Sequence, residues 1–127
     1  MFDTGKAKGE EYTLTIANET TLIGCSVHAY GNEVVLKVPE GVKEIAGYAL
    51  QGCSGIKKII LPNSLRKIGQ AAFISCTDLE SVYIPDTVRE IGVGVFRNCP
   101  KLKRVHVPPE IMNKATVKDR GLPSYMW

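Results

Sequence analysis

Prolines 39, 62, 85 and 108 follow one another at intervals of 23 residues, and the residues around them recur with them. Self-similarity at a fixed period of this size marks a solenoid. One unit cannot bury its apolar side alone, so stacked copies bury it for one another. The period therefore constrains the fold before any single motif does. It also bears on function, since stacked repeats present extended surfaces suited to binding rather than chemistry.

Each unit opens on a short extended run before its proline: Leu36-Lys37-Val38, Ile59-Ile60-Leu61, Val82-Tyr83-Ile84 and Val105-His106-Val107. The first and third residues are aliphatic and the middle one varies, which predicts a strand with one buried face. Proline ends the strand because it has no N–H to give to a ladder. Three residues later stands a further apolar position, Val42, Leu65, Val88 or Ile111, then Ile45-Ala46, Ile68-Gly69 or Ile91-Gly92. The apolar pairs Ala49-Leu50, Ala72-Phe73 and Val95-Phe96 follow, then Cys53, Cys76 and Cys99, and Ile56, Leu79 and Leu102 close the units. From isoleucine to cysteine the spacing is i, i+4, i+5, i+8, which predicts a short helical turn opposite the strand. The expected fold is an α/β solenoid with a parallel sheet on one face and helical turns on the other.

Three well-formed copies span 33–55, 56–78 and 79–101. A fourth decays: Lys114 stands at the isoleucine position, Asp119 at the aromatic one and Leu122 at the cysteine one, as a polar terminal unit that stops further stacking would require. The runs IILPNSLRKIGQAAFISCTDL and SVYIPDTVREIGVGVFRNCPKL closely resemble the bacterial surface-antigen (BspA-like) class of leucine-rich repeat, over about residues 33–111. That resemblance implies a leucine-rich-repeat stack. It also implies kinship with proteins that are mostly adhesins and other protein-binding surfaces, often secreted and much longer. It carries over no catalytic residue.

Ahead of the repeats, residues 12–16 alternate and 21–28 resume an extended pattern, which predicts a β-hairpin whose second strand starts the sheet and caps the first repeat. Residues 1–127 are thus expected to form one domain: hairpin cap 1–32, three repeats 33–101, and a degenerate repeat and C-terminal cap over 102–127. The tail Gly121-Leu122-Pro123-Ser124-Tyr125-Met126-Trp127 is read as a lid on the last repeat. No 18-residue apolar run occurs, so no transmembrane helix is expected, and the first eight residues lack the apolar stretch of a signal peptide. The expected setting is cytoplasmic if Met1 is the native start, and secreted or cell-surface otherwise. Asn18-Glu19-Thr20 matches a glycosylation sequon, a pattern common by chance.

Cys53, Cys76 and Cys99 should stack as an internal ladder of small buried thiols, with Cys25 outside it. No C-x-x-C occurs, so neither a zinc site nor any other cofactor is expected. His28 and His106 have no sequence partner that suggests a triad or metal pair, and the serines lack a nucleophile elbow. A non-enzymatic protein is the expectation.

What the core does not dictate is the outward strand positions. One column holds Lys37, Ile60, Tyr83 and His106; beside it run Val35, Lys58, Ser81 and Arg104, and at the strand entrance Val34, Lys57, Glu80 and Lys103. Ile60 and Tyr83 framed by Lys57, Lys58, Lys103 and Arg104 resemble apolar anchors with a basic rim, so Lys37, Lys57, Lys58, Ile60, Ser81, Tyr83, Lys103, Arg104 and His106 form the candidate partner-binding face. Residues 1–31, 32–100 and 101–127 carry −2, +1 and +4, so the basic C-terminal end would steer an acidic protein partner. A net charge of only +3, with aromatic interleaving limited to Tyr83, speaks against nucleic acid. The sequence reading is a binding module acting by surface occlusion, for example a small intracellular inhibitor encoded by a phage or mobile element. Its alternatives are an adhesin-type extracellular fragment and a solenoid that self-associates, including as a homodimer.

Overall fold

The computed structural model describes the backbone of 2–7 and all of 12–28 and 33–109. Within these residues the chain forms ten strands. Four of them, β4 (Val34–Lys37), β6 (Ile56–Ile60), β8 (Ser81–Tyr83) and β10 (Arg104–His106), make a parallel sheet in the order β10-β8-β6-β4. Neighbours pair in the register of the period: Ile59 lies opposite Val82, and Val82 opposite Val105. The remaining strands are β1 (Phe2–Ala7), β2 (Tyr12–Ala17), β3 (Thr21–Val27), β5 (Glu44–Ile45), β7 (Lys67–Ile68) and β9 (Glu90–Ile91). They make a second sheet in the order β1-β2-β3-β5-β7-β9.

Alternation is followed closely in the first sheet. Leu36, Val38, Ile59, Leu61, Val82 and Ile84 are buried, and the prolines that follow end their strands. The isoleucines of β5, β7 and β9 meet them from the second sheet, and Leu50, Phe73 and Phe96 fill the space between. Phe73 and Phe96, one period apart, lie with ring centroids 5.6 Å apart. Repetition of the sequence thus becomes stacking of like on like in the core.

The helical turns expected opposite the strand are not present: between the isoleucines and the cysteines of the coils no residue is helical. The reason is visible in the backbone. Each coil holds two left-handed residues four positions apart, Tyr48 and Gly52, Ala71 and Ser75, Gly94 and Asn98, with φ between 53° and 69°. Right-handed helix cannot run through such residues. Between them, alternate amides serve different partners. Ala72 N–H donates within its own coil to Gly69 O, whereas Ala71 and Phe73 N–H donate to Val93 O and Val95 O of the next coil. A helix would have spent all of these amides within one coil. The apolar spacing in the sequence is therefore that of a stacked corner, which the eye reads as helical because both place side chains inward every three to five residues.

The glycines after the isoleucines also have a specific cause. A Cβ on Gly69 would sit 2.5 Å from the backbone N of Gly47, and one on Gly92 2.5 Å from that of Gln70. Neither has left-handed φ, so these positions need glycine because coils approach backbone to backbone there, not merely because a turn is permitted.

Ahead of the repeats, β2 and β3 pair antiparallel across a turn at Asn18 and Glu19, both left-handed as a tight hairpin of primed type requires. Two features differ from the sequence expectation. A further strand, β1, adds to the hairpin, and β3 joins the second sheet through β5 rather than the sheet of proline strands. Tyr12 provides the link to that first sheet: its hydroxyl accepts from Lys37 N–H at 2.8 Å and donates to Lys37 O at 3.3 Å, satisfying the open edge of β4. The expected lid over 121–127 and the cap positions Ile111, Lys114, Asp119 and Leu122 lie outside the described residues.

Two substitutions test this backbone logic. Gly92→Ala should lower unfolding free energy by about 1–3 kcal/mol through overpacking. Ser75→Gly should raise it by about 0.5–1 kcal/mol by relieving the left-handed strain. Urea denaturation of both variants beside wild type reads the two signs.

Candidate functional site

Outward side chains of the proline-strand sheet fall into columns because the strands are parallel and in register. Lys37 lies opposite Ile60, Ile60 opposite Tyr83, and Tyr83 opposite His106. Beside them Val35 lies opposite Lys58, Lys58 opposite Ser81, and Ser81 opposite Arg104. In-register strands set such neighbours about 5 Å apart, within contact range. Seven of the nine candidate residues read from the sequence therefore share one face, and the other two, Lys57 and Lys103, line a hollow beside Lys58 and Arg104. Ile60 and Tyr83 remain 38% and 55% exposed on the face, high for residues of their size.

One column needs correction. Val34, expected outward at the strand entrance, is buried, because it alternates with Val35 onto the side of Leu36; the register shift instead leaves Lys57 of β6 as the extra residue, between Ile56 opposite Val34 and Lys58 opposite Val35. A bulge inserts one residue and turns its neighbour to the other side of the sheet. Glu33 takes the outward place and pairs with Lys57 at 3.0 Å. Proximity to Glu33 holds the Lys57 ammonium above its ordinary pKa.

Acidic residues alter the electrostatics of the face. Lys103 pairs with Glu80 at 3.4 Å, so both outer lysines of the expected basic rim, Lys57 and Lys103, are balanced by carboxylates. Lys37, Lys58 and Arg104 have no carboxylate in salt-bridge range among the described residues. Positive charge is thus concentrated beside Tyr83 rather than spread around it. His106 stacks on Tyr83 with centroids 4.3 Å apart and planes 7° from parallel, and its Nε2 lies 3.1 Å from Asp86 Oδ1. That stack fixes the tyrosine ring. Asp86 and Glu33 were not singled out from the sequence. Asp86 directly follows Pro85, where neither period nor strand pattern marks it, and Glu33 comes into play only through the bulge.

Over β6, β8 and β10 the face forms an open groove of about 610 Å³, lined among others by Lys58, Ser81, Tyr83, Arg104 and His106. A second hollow of about 310 Å³ shares Lys58, Ser81, Lys103 and Arg104 with it and reaches Glu33 and Glu80. Shallow and rimmed by mixed polar and apolar groups, this surface suits a protein segment better than a small buried substrate.

The cysteines line another column. Cys76 and Cys99 are buried, and their thiols donate to Leu50 O and Phe73 O of the preceding coil, each at 3.2 Å. Burial raises the pKa of both. Cys25, expected outside the ladder, is its first rung: Cys53 Sγ lies 3.9 Å from Cys25 O. The 28-residue separation hid this from a 23-residue period. Among the described residues no group of three or more His, Cys, Asp or Glu side chains is placed to hold a metal, and no helix is long and apolar enough to cross a membrane.

Comparison with known proteins agrees with this architecture. The family model described as BspA type leucine rich repeat region matches residues 10–116 in six copies. A solved leucine rich cell surface protein from Faecalibacterium prausnitzii superposes with a TM-score of 0.53 at 22% identity, over 85% of this chain and 30% of its own. The pneumococcal vaccine antigen PcpA superposes with a TM-score of 0.52 at 26% identity, over 72% of this chain and 28% of its own. The chain thus spans less than a third of the length of these two neighbours. No curated protein matches it.

Exposure of the anchors predicts that the face can be altered without harm to the fold. Ile60→Ala and Tyr83→Ala should each cost less than about 1 kcal/mol, whereas Ile59→Ala, one residue away on the buried side, should cost about 2–5 kcal/mol. Chemical denaturation of the three variants separates face from core.

Proposed function

The chain belongs to the BspA type leucine-rich repeat family, and on that premise we propose that it is a non-enzymatic protein-binding module of adhesin type whose proline-strand face holds an acidic protein segment. The observation that carries the reading is the juxtaposition, on one rigid sheet, of exposed Ile60 and Tyr83 with Lys58 and Arg104, which lack salt-bridge partners among the described residues. Tyr83, held by its stack on His106, loses little freedom on binding and makes a preorganised anchor. Lys58 and Arg104 flank it and supply steering and orientation for carboxylates.

A cell-surface setting accords with the likenesses to a leucine rich cell surface protein and a vaccine antigen. They favour the extracellular alternative over the intracellular phage-type inhibitor, for which nothing in the comparisons speaks. Family members in general bind proteins through such stacks, and the choice of an acidic partner rests on the charge of this face.

The test is a binding screen against extracellular proteins, with wild type beside the triple variant Lys58→Glu, Tyr83→Ala, Arg104→Glu. A partner held by wild type should bind the variant at least about 30-fold more weakly, as loss of a hot-spot residue and its charges requires. Equal binding by both would move the site off the strand face. Binding of naked oligonucleotides with steep salt dependence would replace the protein reading with a nucleic-acid one. Mass that grows with concentration and no partner would favour self-association.

A further inference from the structure

Cys25 and Cys53, 28 residues apart, come together where β3 packs on the corner of the first coil. Cys25 sits on β3, and Cys53 ends the left-handed corner of the first coil, with its Sγ 3.9 Å from Cys25 O. Both are free and half-buried, within reach of a dissolved reagent, whereas Cys76 and Cys99 are buried. The latter two direct their thiols at the carbonyls of Leu50 and Phe73, residues without a thiol, whereas the carbonyl that Cys53 approaches belongs to a second cysteine. We propose that Cys25 and Cys53 are a redox-sensitive pair that closes into a disulfide on reaction with a low-molecular-weight disulfide, stapling the N-terminal strands to the first coil.

The chemistry is two successive thiol–disulfide exchanges. Cys53 is the attacking group: a hydrogen bond from the Cys25 thiol lowers its pKa, and the same bond, together with burial, raises that of Cys25. The Cys53 thiolate attacks one sulfur of oxidised glutathione, forming a mixed disulfide and releasing one glutathione thiolate. That thiolate takes the proton of Cys25. The Cys25 thiolate then attacks Cys53 Sγ, forming the intramolecular bond and expelling the second glutathione. Two protein thiols are oxidised and one glutathione disulfide is reduced to two thiols, so electrons and protons balance. The bond would form in oxidising surroundings and stay open in reducing ones. It would lock the cap that satisfies the edge of β4, a role independent of the strand-face reading.

The experiment incubates the folded 127-residue chain with oxidised glutathione at neutral pH, counts free thiols, and maps unreduced peptides by mass. Two of the four thiols should disappear into a Cys25–Cys53 link, and the thermal midpoint should rise by roughly 10 °C, the size expected for closing a loop of this length. Cys25→Ser should stop at glutathione held on Cys53, and Cys53→Ser should keep its remaining thiols over the same time. A Cys53–Cys76 link, glutathione that stays on wild-type Cys53, or no thiol loss before unfolding would each overturn the proposal. Should a serine variant fail to fold by circular dichroism, the wild-type peptide map decides by itself.

Discussion

Backbone hydrogen bonds between successive coils are what the rest of this structure depends on. Lys43 N–H donates to Thr20 O, Arg66 to Lys43 and Arg89 to Arg66, one bond per coil along a single line, and the corners add their own lines through Tyr48, Leu50, Phe73 and Ser75. Each such bond is worth only about 1 kcal/mol net, but a buried amide left without one costs about 1–3 kcal/mol. The coils must therefore keep a common length and a common shape. A 23-residue period is the sequence consequence of that requirement, and Gly69 and Gly92 are the places where the approach becomes too close for any side chain.

From the same constraint comes the character of the outer face. Parallel strands in register, as β6, β8 and β10 are, turn a repeated sequence position into a straight column, so a residue free of core duty in one repeat stands beside its counterpart in the next. Ile60, Tyr83 and His106 become neighbours this way, and so do Lys58, Ser81 and Arg104. A face assembled in columns is rigid before any partner arrives, which lowers the ordering cost of binding. Its side chains are also the part of the repeat most able to diverge without unfolding the stack.

The N-terminal strands resolve the problem that a stack creates at its end, an open sheet edge. Two different devices are used. The second sheet is continued by β3, so its edge is moved outward to β1, while the first sheet is closed at β4 by the Tyr12 hydroxyl. Buried Leu14, Ile16 and Leu22 then cover the first coil. Cys25 meets Cys53 in this junction, where cap and repeats are joined by packing and by few backbone bonds.

Much of this was legible in the sequence, and the boundary follows a physical line. Positions repeated at 23 residues with one chemistry, such as Ile45, Ile68 and Ile91 or Leu50, Phe73 and Phe96, declare the core and the solenoid, because burial imposes the same demand on each coil. The outward columns could be derived as well, since strand alternation and period fix them. Conformation of the corner could not: Tyr48, Ala71 and Gly94 share a left-handed backbone but no side-chain chemistry, and only bonding to the next coil selects it over a helix. Nor could the pairs Glu33–Lys57 and His106–Asp86, or the meeting of Cys25 with Cys53, which depend on a bulge, a rotamer and a cap joint that no period encodes. The 23-residue period establishes what recurs, whereas stacking settles what the recurring units touch, because those contacts are made between coils rather than within one.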